Sequence, residues 1–513
     1  MTNLTKLWFN YSPIPVDKRN CIFTSRIFVQ KLTGNGFPLY LLVNTLSGAI
    51  DLLNSEEGLS FDYAITTNDC SKMSDQLFEI LVERGYIFRS KEIENIVFDT
   101  FINDYKNRKY TKDKLLGYFA LDTNCSMGCE YCFEKQRKKG NCFEHSVMDQ
   151  NSIIRAFDFL KTMCSLQKRQ VDFVAGWGGE PLKEENYYIN KCFIENANKN
   201  NFPIAYFSNL AFIGDRLTEL LKNNSKHIKF LQTTIDGLYD EHDKYRKLPN
   251  AFDITVKNID KLLNLNLPVI VRTNIGANNI DVLPDIARFY KERGWFDFPK
   301  FKGYITHTYD RHHEFTKSFT LSEDIAVSKY LKFRDEFPEV RKIQGIKFGP
   351  SLKNILNAFK IRENLDVTEE NFQIETSPIV TYCYTSNRCE YVFTGAPNYS
   401  LYTCAECTAL SNYKLGTYYP NFEINTNQST IWDMHPNIHK IRSIDTLRKC
   451  KGCRAATFCG GYCALEAITS CGNASDVCCK HADMIISNFL KNESDRLYNR
   501  AKLFIDNTEN ITL

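Results

Sequence analysis

The uneven distribution of cysteine along the chain is the sequence feature that most restricts what it can fold into. Of its 19 cysteines, Cys125, Cys129 and Cys132 crowd one short segment, and eleven lie between Cys383 and Cys479. Clusters of this density indicate metal binding, catalysis or disulfides, and the cellular compartment decides among these three.

The rest of the sequence favours metal binding or catalysis over disulfides as the role of the clustered cysteines. Residues Met1 to Lys6 contain no basic stretch followed by a long apolar run, so no secretory signal is predicted. No window reaches about 18 consecutive apolar residues, which predicts no membrane-spanning helix. The 64 basic and 61 acidic residues leave a net charge of +3, too small to draw the chain to nucleic acid or a membrane. We therefore expect a cytoplasmic protein, whose clustered cysteines bind metal or act in catalysis.

Strand-like and helical segments alternate from residue 115 onward. The candidate strands are 115–121, 171–177, 203–207, 229–235, 268–273 and 302–306. Helical patterns lie between them, at 149–163, 183–197, 215–223, 252–265 and 281–293. A βα repeat of this kind closes most simply as an α/β fold with a parallel partial (β/α)6 barrel, in which the chemistry lies on loops after the strands.

The segment before this repeat has a different pattern. Two apolar runs flank Asn44 to Gly48, which is a hairpin signal, and residues 73–85 have a helical period ending in glycine. This predicts a small winged-helix-like domain. The expected division is 1–93 for this domain, 94–114 for a linker, 115–325 for the barrel, 326–382 for a bridging region, 383–490 for a cysteine-rich domain and 491–513 for a C-terminal helix or tail.

The first cysteine group has the spacing C-x3-C-x2-C and directly follows the first predicted strand. Three thiolates on one loop can hold three irons of a [4Fe–4S] cube and leave the fourth iron open to a small ligand. A structural zinc site would need a fourth ligand nearby, which Cys142 or His145 could supply. On spacing alone, zinc remains the alternative.

This motif, with Tyr131 before its third cysteine, resembles the signature of the radical S-adenosylmethionine (SAM) enzymes. Further motifs follow in the family's order, at or after the ends of predicted strands: Gly178-Gly179-Glu180-Pro181, then Ser208-Asn209, then Thr234-Ile235-Asp236-Gly237 with His242 to Arg246, then Arg272-Thr273-Asn274-Ile275 on the fifth strand. The resemblance implies that SAM binds a cluster held by Cys125, Cys129 and Cys132 and is cleaved to a 5′-deoxyadenosyl radical. It implies SAM-site positions at Tyr131, Gly178, Gly179, Glu180, Pro181, Ser208, Asn209, Thr234, Asp236, Arg246, Arg272 and Asn274.

Two of these residues match the charges of SAM. The carboxylate of Glu180 would hold the ammonium group, and a guanidinium such as that of Arg246 could hold the carboxylate through charge-assisted hydrogen bonds.

The second cysteine group contains more thiols than one tetrahedral metal can use, and eight ligands suit two four-iron cubes. The group resembles the SPASM extension of radical SAM enzymes, which carries two auxiliary [4Fe–4S] clusters. The resemblance implies one cluster on Cys383, Cys389, Cys404 and Cys463, and a second on Cys450, Cys453, Cys459 and either Cys479 or Cys478. The alternative is a pair of structural zinc ions.

Together these resemblances imply an enzyme that modifies a ribosomally made precursor peptide, with a thioether crosslink as the expected product. The N-terminal domain would bind the peptide's leader, and a flavodoxin- or ferredoxin-type protein would supply electrons. Two other SPASM enzymes are alternatives, a sulfatase maturase and a small-molecule dehydrogenase. Sulfatase maturases carry a catalytic Asp at the position of Ala405, which argues against that alternative. The nearest carboxylate, Glu406, lies one position later. A non-catalytic zinc-binding interaction protein is the alternative from another class.

Overall fold

The computed structural model of the chain describes most of the sequence. The described residues are 2–3, 16–107, 114–129, 131–132, 134, 145–308, 320–343, 345–359, 378–382, 390–408, 414–424, 442–473 and 475–509. The predicted cluster ligands Cys383 and Cys389, and the possible zinc ligand Cys142, lie outside the described residues.

The N-terminal region combines small antiparallel sheets with three helices. Its elements are β1 (Thr2–Asn3), β2 (Ile22–Phe23), β3 (Ile27–Leu32), β4 (Leu39–Asn44), β5 (Ile50–Leu53), α1 (Ser55–Thr67), α2 (Asp75–Glu83), β6 (Ile87–Phe88) and α3 (Lys91–Asn107). One sheet has the order β1-β5-β4-β3, and β2 pairs with β6. Strands β4 and β5 form the predicted hairpin. Helix α2 ends just before Gly85, whose φ of 73° is the left-handed conformation that glycine adopts without strain.

Two cysteines that are isolated in the sequence meet in this region. Cys21 and Cys70 are buried, and their Sγ atoms lie 3.2 Å apart. Because they are 49 positions apart in the sequence, motif spacing could not predict this contact.

Helix α3 occupies much of the segment that was predicted to be a linker. Its side chains Phe101, Ile102 and Tyr105 are buried in one apolar cluster with Ile444 and Leu447 from the C-terminal region. Much of the predicted linker is thus helical, and its role as a linker stays a prediction. Its few apolar residues share one helix face, and burial of that face against another domain holds the helix in place.

The predicted partial barrel is confirmed, with strand ends within two residues of those predicted. Its strands are β7 (Leu115–Ala120), β8 (Val171–Trp177), β9 (Ile204–Phe207), β10 (Ile228–Thr234), β11 (Val269–Ile275) and β12 (Phe301–His307). The helices that follow them are α4 (Gln150–Gln167), α5 (Tyr187–Lys199), α6 (Asp215–Asn223), α7 (Asp240–Arg246), α8 (Ala251–Asn264) and α9 (Leu283–Glu292), continued by α10 (Glu323–Glu336) and α11 (Lys353–Ala358).

Strands from outside the predicted repeat extend the barrel at both edges. They are β13 (Gly345–Lys347), β14 (Glu390–Thr394), β15 (Ser400–Tyr402), β16 (Lys414–Thr417) and β17 (Glu423–Ile424). The sheet order is β13-β12-β11-β10-β9-β8-β7-β14-β15-β16-β17. Strands β13 and β14 add in parallel to β12 and β7, whereas β15 to β17 are antiparallel. The cysteine-rich region is thus joined to the barrel through β14.

The two faces of the barrel sheet are packed differently. Phe119 points toward the helices, where its ring contacts Phe157 and Phe193. On the opposite, concave face, four rings form a closed circuit of contacts with centroids 5.3 to 6.0 Å apart: Tyr118, Phe173, Phe230 and Phe207. This aromatic layer fills the barrel interior beneath the ends of the strands, so the open space lies above it, where the strand-end loops are.

Within its described residues, the C-terminal region contains four helices, α12 (Ala456–Cys459), α13 (Ala464–Cys471), α14 (Ala482–Asn492) and α15 (Ser494–Glu509). Helix α15 reaches back to the N-terminal sheet, where the Tyr498 hydroxyl donates to the Phe37 carbonyl at 3.3 Å. In the part of the chain that the structure describes, none of the helices has the length and apolar character needed to cross a bilayer.

Candidate active site

The first cysteine group lies on the loop that follows β7, at the carboxyl end of the barrel strands. Cys125, Cys129 and Cys132 are all partly buried. The start of the loop is fixed by Asp122, which accepts hydrogen bonds from the Asn124 backbone N–H at 2.8 Å and pairs with Lys183 at 2.6 Å. Asp122 is buried, so its pairing with Lys183 is shielded from solvent.

The glycine pair after β8 packs directly against this loop. Gly178 and Gly179 have φ values of 85° and 39°, which other residues rarely adopt. A Cβ on Gly179 would lie 2.4 Å from the Thr123 carbonyl carbon. The Gly179 N–H donates to the carboxylate of Glu134 at 2.7 Å, and Glu134 lies just beyond the third cysteine. Glycine is therefore required here both for the backbone conformation and for the close approach of two loops.

Glu180 joins three loops, through its fully buried carboxylate and its backbone N–H. The carboxylate oxygens accept hydrogen bonds from the Leu182 N–H at 2.9 Å, the Asn209 N–H at 2.6 Å and the Ser208 hydroxyl. The backbone N–H of Glu180 donates to the Asn124 carbonyl at 3.1 Å. Burial raises the pKa of Glu180 to about 7, against the lowering effect of the donors to its carboxylate. The carboxylate thus connects the loops after β8 and β9, the backbone N–H connects them to the cluster loop, and the role of Glu180 toward a SAM ammonium stays a prediction.

Asp236, directly after β10, is the centre of a second buried network. Its Oδ1 accepts from the backbone N–H and the side-chain amide of Asn274, at 2.8 and 3.0 Å. Its Oδ2 accepts from the Tyr131 hydroxyl and pairs with Arg246 at 3.1 Å. The Asp236 N–H faces Nδ1 of His242, whose pKa is lowered to about 2 by burial. A neutral imidazole is therefore present beneath the aspartate.

The structure gives Arg246 a partner other than the predicted SAM carboxylate. One guanidinium nitrogen pairs with Asp236, and the other lies 3.4 Å from the Cys129 Sγ. Arg272 is half-buried on the concave face, and its Nε has no hydrogen-bond partner among the described residues. A buried donor without a partner fits an anionic group on a bound molecule.

The remaining predicted positions lie around the same strand ends. The Asn209 amide nitrogen lies 3.8 Å from the Cys125 Sγ. The Pro181 carbonyl accepts from Asn190 at 2.8 Å, and Thr234 is the half-buried last residue of β10. All of these positions follow β8, β9 or β10, so the fold gathers them at one rim.

Sequence reasoning missed several residues that support the site. Asp122, Lys183, Glu134 and Asn279 hold the loops, and Asn279 donates to the Asp236 carbonyl at 2.9 Å. The available signal was that Asp122 and Lys183 immediately flank the two motifs. Charged residues there are candidates for holding a loop, although their burial could not be read from the sequence.

In the second cysteine group, four thiols influence one another. Burial, followed by the thiols of Cys453 and Cys479, raises the pKa of Cys450 to about 12. Burial raises the pKa of Cys459 as well, and the thiols of Cys450, Cys453 and Cys479 add to this. By contrast, the pKa of Cys478 is raised by burial and by Glu466. The charge of Cys479, and not that of Cys478, thus acts on the pKa of Cys450 and Cys459, and the choice of Cys479 as a cluster ligand stays a prediction.

Of the four predicted ligands of the first auxiliary cluster, the structure describes two, Cys404 and Cys463. Cys404 and Cys463 are half-buried and pack on the same apolar cluster around Val392, Tyr402 and Leu465. Cys407 is buried in that cluster. The two predicted partners of Cys404 and Cys463 are outside the described residues, so this ligand set stays a prediction.

The donor set fits the groups that the motifs imply. Thiolates are the usual ligands of iron–sulfur clusters, and three of them on one loop at a protein rim leave one side open. The unpartnered Arg272 Nε and the half-exposed concave face provide polar contacts for a small charged molecule.

Comparison with known proteins agrees with this geometry. Residues 122–290 match the model of the Radical SAM superfamily. Over 178 residues the chain is 25% identical to the sporulation killing factor maturation protein SkfB of Bacillus subtilis (strain 168), an alignment that covers 35% of this chain and 40% of that protein. The chain thus spans less than half the length of this relative.

Two solved structures share the fold over most of the chain. SuiB of Streptococcus suis, bound to its precursor peptide SuiA, superposes with a TM-score of 0.53 at 13% identity, covering 90% of this chain and 99% of SuiB. Native anSMEcpe with bound AdoMet gives a TM-score of 0.53 at 15% identity, covering 76% of this chain and 99% of that chain. Residues 122–290 of this chain thus form a domain that matches the Radical SAM superfamily, and the chain shares the fold of SuiB and anSMEcpe.

Proposed function

We propose that the chain is a radical SAM peptide maturase of the SPASM type. The observation that carries this proposal is the mutual fit of the cysteine loop and the glycine pair, since a Cβ on Gly179 would lie 2.4 Å from the Thr123 backbone. Three thiols, a loop held against them and an unpartnered guanidinium nitrogen of Arg272 lie at one rim. Likeness to SkfB, whose name is that of a maturation protein, supports a peptide substrate.

In this proposal Cys125, Cys129 and Cys132 hold a [4Fe–4S] cluster, and SAM binds at the rim. When bound, these groups supply one-electron cleavage of SAM and abstraction of a hydrogen atom from the substrate. The chain's own residues orient them: Glu180 and Asp236 hold the loops, Arg272 offers a donor, and the aromatic layer closes the barrel beneath.

The test is SAM cleavage by the anaerobically reconstituted protein. Replacing Cys125, Cys129 and Cys132 by Ala should abolish 5′-deoxyadenosine formation, because no thiolates remain to hold the iron. Cys164→Ala is the matched control, since that half-buried thiol lies on α4, outside the rim. A colourless wild-type protein with stoichiometric zinc, or cleavage that persists in the triple variant, would contradict the proposal.

The N-terminal domain is proposed to bind the leader of the precursor peptide along β3. Within the described residues β3 pairs only with β4. The Thr45 N–H donates to the Arg26 carbonyl, so in the antiparallel alternation the backbone groups of Ile27, Val29 and Lys31 face away from β4. An extended leader could add there as a further strand.

A proline at Val29 tests this edge. Val29→Pro removes only an outward N–H and is tolerated in an edge strand, whereas Val29→Ala keeps that donor. We expect Val29→Pro to weaken binding of a precursor peptide from a neighbouring reading frame at least tenfold, and Val29→Ala to leave it near wild type, by fluorescence anisotropy. Equal affinities of the two variants would place the leader elsewhere.

A flavodoxin- or ferredoxin-type protein is proposed as the electron donor.

The bond formed is proposed to be a thioether. A crosslinked product should lose the mass of two hydrogens relative to its precursor. An unchanged mass would indicate epimerisation instead. Ala405 disfavours the sulfatase-maturase alternative, because it has no carboxylate at the position where those enzymes carry Asp.

A further inference from the structure

Arg246 bridges the aspartate network and one thiol of the cysteine loop. It is the last residue of α7, and it is buried. Its Nη2 lies 3.1 Å from Asp236 Oδ2 and its Nη1 lies 3.4 Å from Cys129 Sγ. The Arg246 carbonyl also accepts from the Gly128 N–H at 3.0 Å, and the Tyr131 ring lies 5.6 Å from the guanidinium.

The bridge is held in one geometry because Asp236 is itself fixed. Asn274 donates to Oδ1 twice, and the Tyr131 hydroxyl donates to Oδ2. A guanidinium is a rigid planar fork, so pairing one nitrogen with a fixed carboxylate sets the direction of the other. That direction leads to Cys129.

A donor aimed at a cluster thiolate has a known physical effect. Reduction adds one electron to the cluster, so the negative charge on its sulfur atoms grows. A buried cation that donates to one of these sulfurs stabilises the reduced form more than the oxidised form and raises the reduction potential.

We propose that Arg246, held by Asp236, Tyr131 and Asn274, is a positioning residue that donates to the Cys129 thiolate and raises the reduction potential of the SAM-binding cluster. The proposal rests on the proposed function, because it requires a cluster at Cys129. It assigns the Nη1 of Arg246 to the iron ligand rather than to SAM. Among the described residues, the buried Nε atoms of Arg246 and Arg272 both lack a hydrogen-bond partner, so either can donate to a bound anion.

The test is redox titration of the reconstituted full-length protein followed by electron paramagnetic resonance. The SAM-binding cluster is identified by the change in its signal when SAM is added, and a triple Ala variant of its three cysteines supplies the background of other clusters. At the potential where the wild-type cluster is half reduced, Arg246→Gln should lower the reduced-to-oxidised ratio at least tenfold, which corresponds to about 59 mV for one electron.

Two further variants complete the comparison. Arg288→Gln is the matched control, because that arginine is exposed on α9 and pairs with Asp285 at 2.8 Å; its ratio should equal that of wild type. Arg246→Lys keeps the charge but cannot reach both partners with one nitrogen, so its ratio should fall between wild type and Arg246→Gln.

A ratio within twofold of wild type in Arg246→Gln, with iron content unchanged, would overturn the proposal. If Arg246→Gln fails to assemble its clusters, Arg246→Lys and Asp236→Asn decide, and wild-type ratios in both would overturn it equally. A wild-type protein without any SAM-responsive cluster would instead contradict the proposed function, so the two failures are distinguishable.

Discussion

At the scale of single residues, the glycine pair shows how one missing Cβ allows two loops to meet. Gly179→Ala would place a methyl group 2.4 Å from a backbone carbon in a left-handed conformation. We expect it to push the two loops apart, to weaken SAM binding at least tenfold by isothermal titration calorimetry, and to lower the iron content.

Gly472→Ala separates the effect of backbone strain from the effect of a steric clash between loops. Gly472 also has a positive φ, of 80°, but no atom lies within 4 Å of the position of its Cβ. This variant should lose only about 1 kcal/mol of stability and keep wild-type SAM affinity. Equal loss of affinity in both variants would mean that the close approach of the loops is unimportant.

Glu323 gives a prediction about pH. It is a buried carboxyl that accepts from the Leu352 N–H at 3.0 Å, and burial raises its pKa to about 7. A carboxyl whose pKa is higher in the folded state binds more protons there than when unfolded, so its contribution to stability is lost as pH rises through about 7.

The contribution of Glu323 to the melting temperature should therefore fall as pH rises from 5 to 8. Because Gln does not titrate, the melting temperature of Glu323→Gln relative to that of wild type should rise over this range. Glu336→Gln, an exposed residue on the same helix, should keep the wild-type dependence. Parallel profiles for Glu323→Gln and wild type, measured by differential scanning fluorimetry without oxygen, would contradict the assignment.

At the scale of elements, the segment between α13 and α14 carries two adjacent cysteines, and either could serve the proposed second auxiliary cluster. The thiol of Cys479 raises the pKa of both Cys450 and Cys459, whereas Cys478 is near Glu466. Cys479→Ala should lower the iron content from about twelve towards about eight per chain, because it removes one ligand of a four-iron cluster.

Cys478→Ala is the natural control, since it removes the neighbouring thiol and should leave the iron content near that of wild type. Iron is measured colorimetrically against protein concentration after anaerobic reconstitution. Loss of iron from Cys478→Ala with full retention in Cys479→Ala would reverse the assignment.

At the scale of the whole molecule, the N-terminal domain is attached to the second cysteine group. Arg26 donates to the carbonyls of Cys453 and Lys451, both at 3.0 Å, and its guanidinium lies 3.9 Å from the centre of the Phe98 ring. Helix α3 buries its apolar face in the same interface. The domain that is proposed to bind the leader thus contacts a proposed cluster loop directly.

Arg26→Ala should destabilise the protein by about 2–3 kcal/mol, because the two hydrogen bonds from its buried guanidinium to backbone carbonyls are lost. The expected readouts are a lower melting temperature and loss of iron from the second auxiliary cluster. Arg19→Ala, an exposed arginine of the same domain, should change neither. Unchanged iron and stability in Arg26→Ala would show that the two regions are energetically independent.

Much of the barrel could be predicted because its information is local. Strands β7 to β12 and the helices between them have periods and breaks that are visible within ten to twenty residues, and each motif lies on or after the end of a strand. The cysteine loop and the residues predicted to lie near SAM follow from the same order along the chain. The added edge strands β13 and β14 could not be predicted in this way, because their partners are distant in sequence.

The sequence by itself thus determined the barrel, the three-cysteine loop and the resemblance to the family, because periodicity and motif spacing can be read from short stretches of sequence. Only the tertiary structure decided that Cys21 meets Cys70, that α3 packs against the C-terminal region and that Arg246 faces Cys129. The physical reason is that these contacts join residues far apart in the chain, and packing and buried charge select them only once the domains have come together.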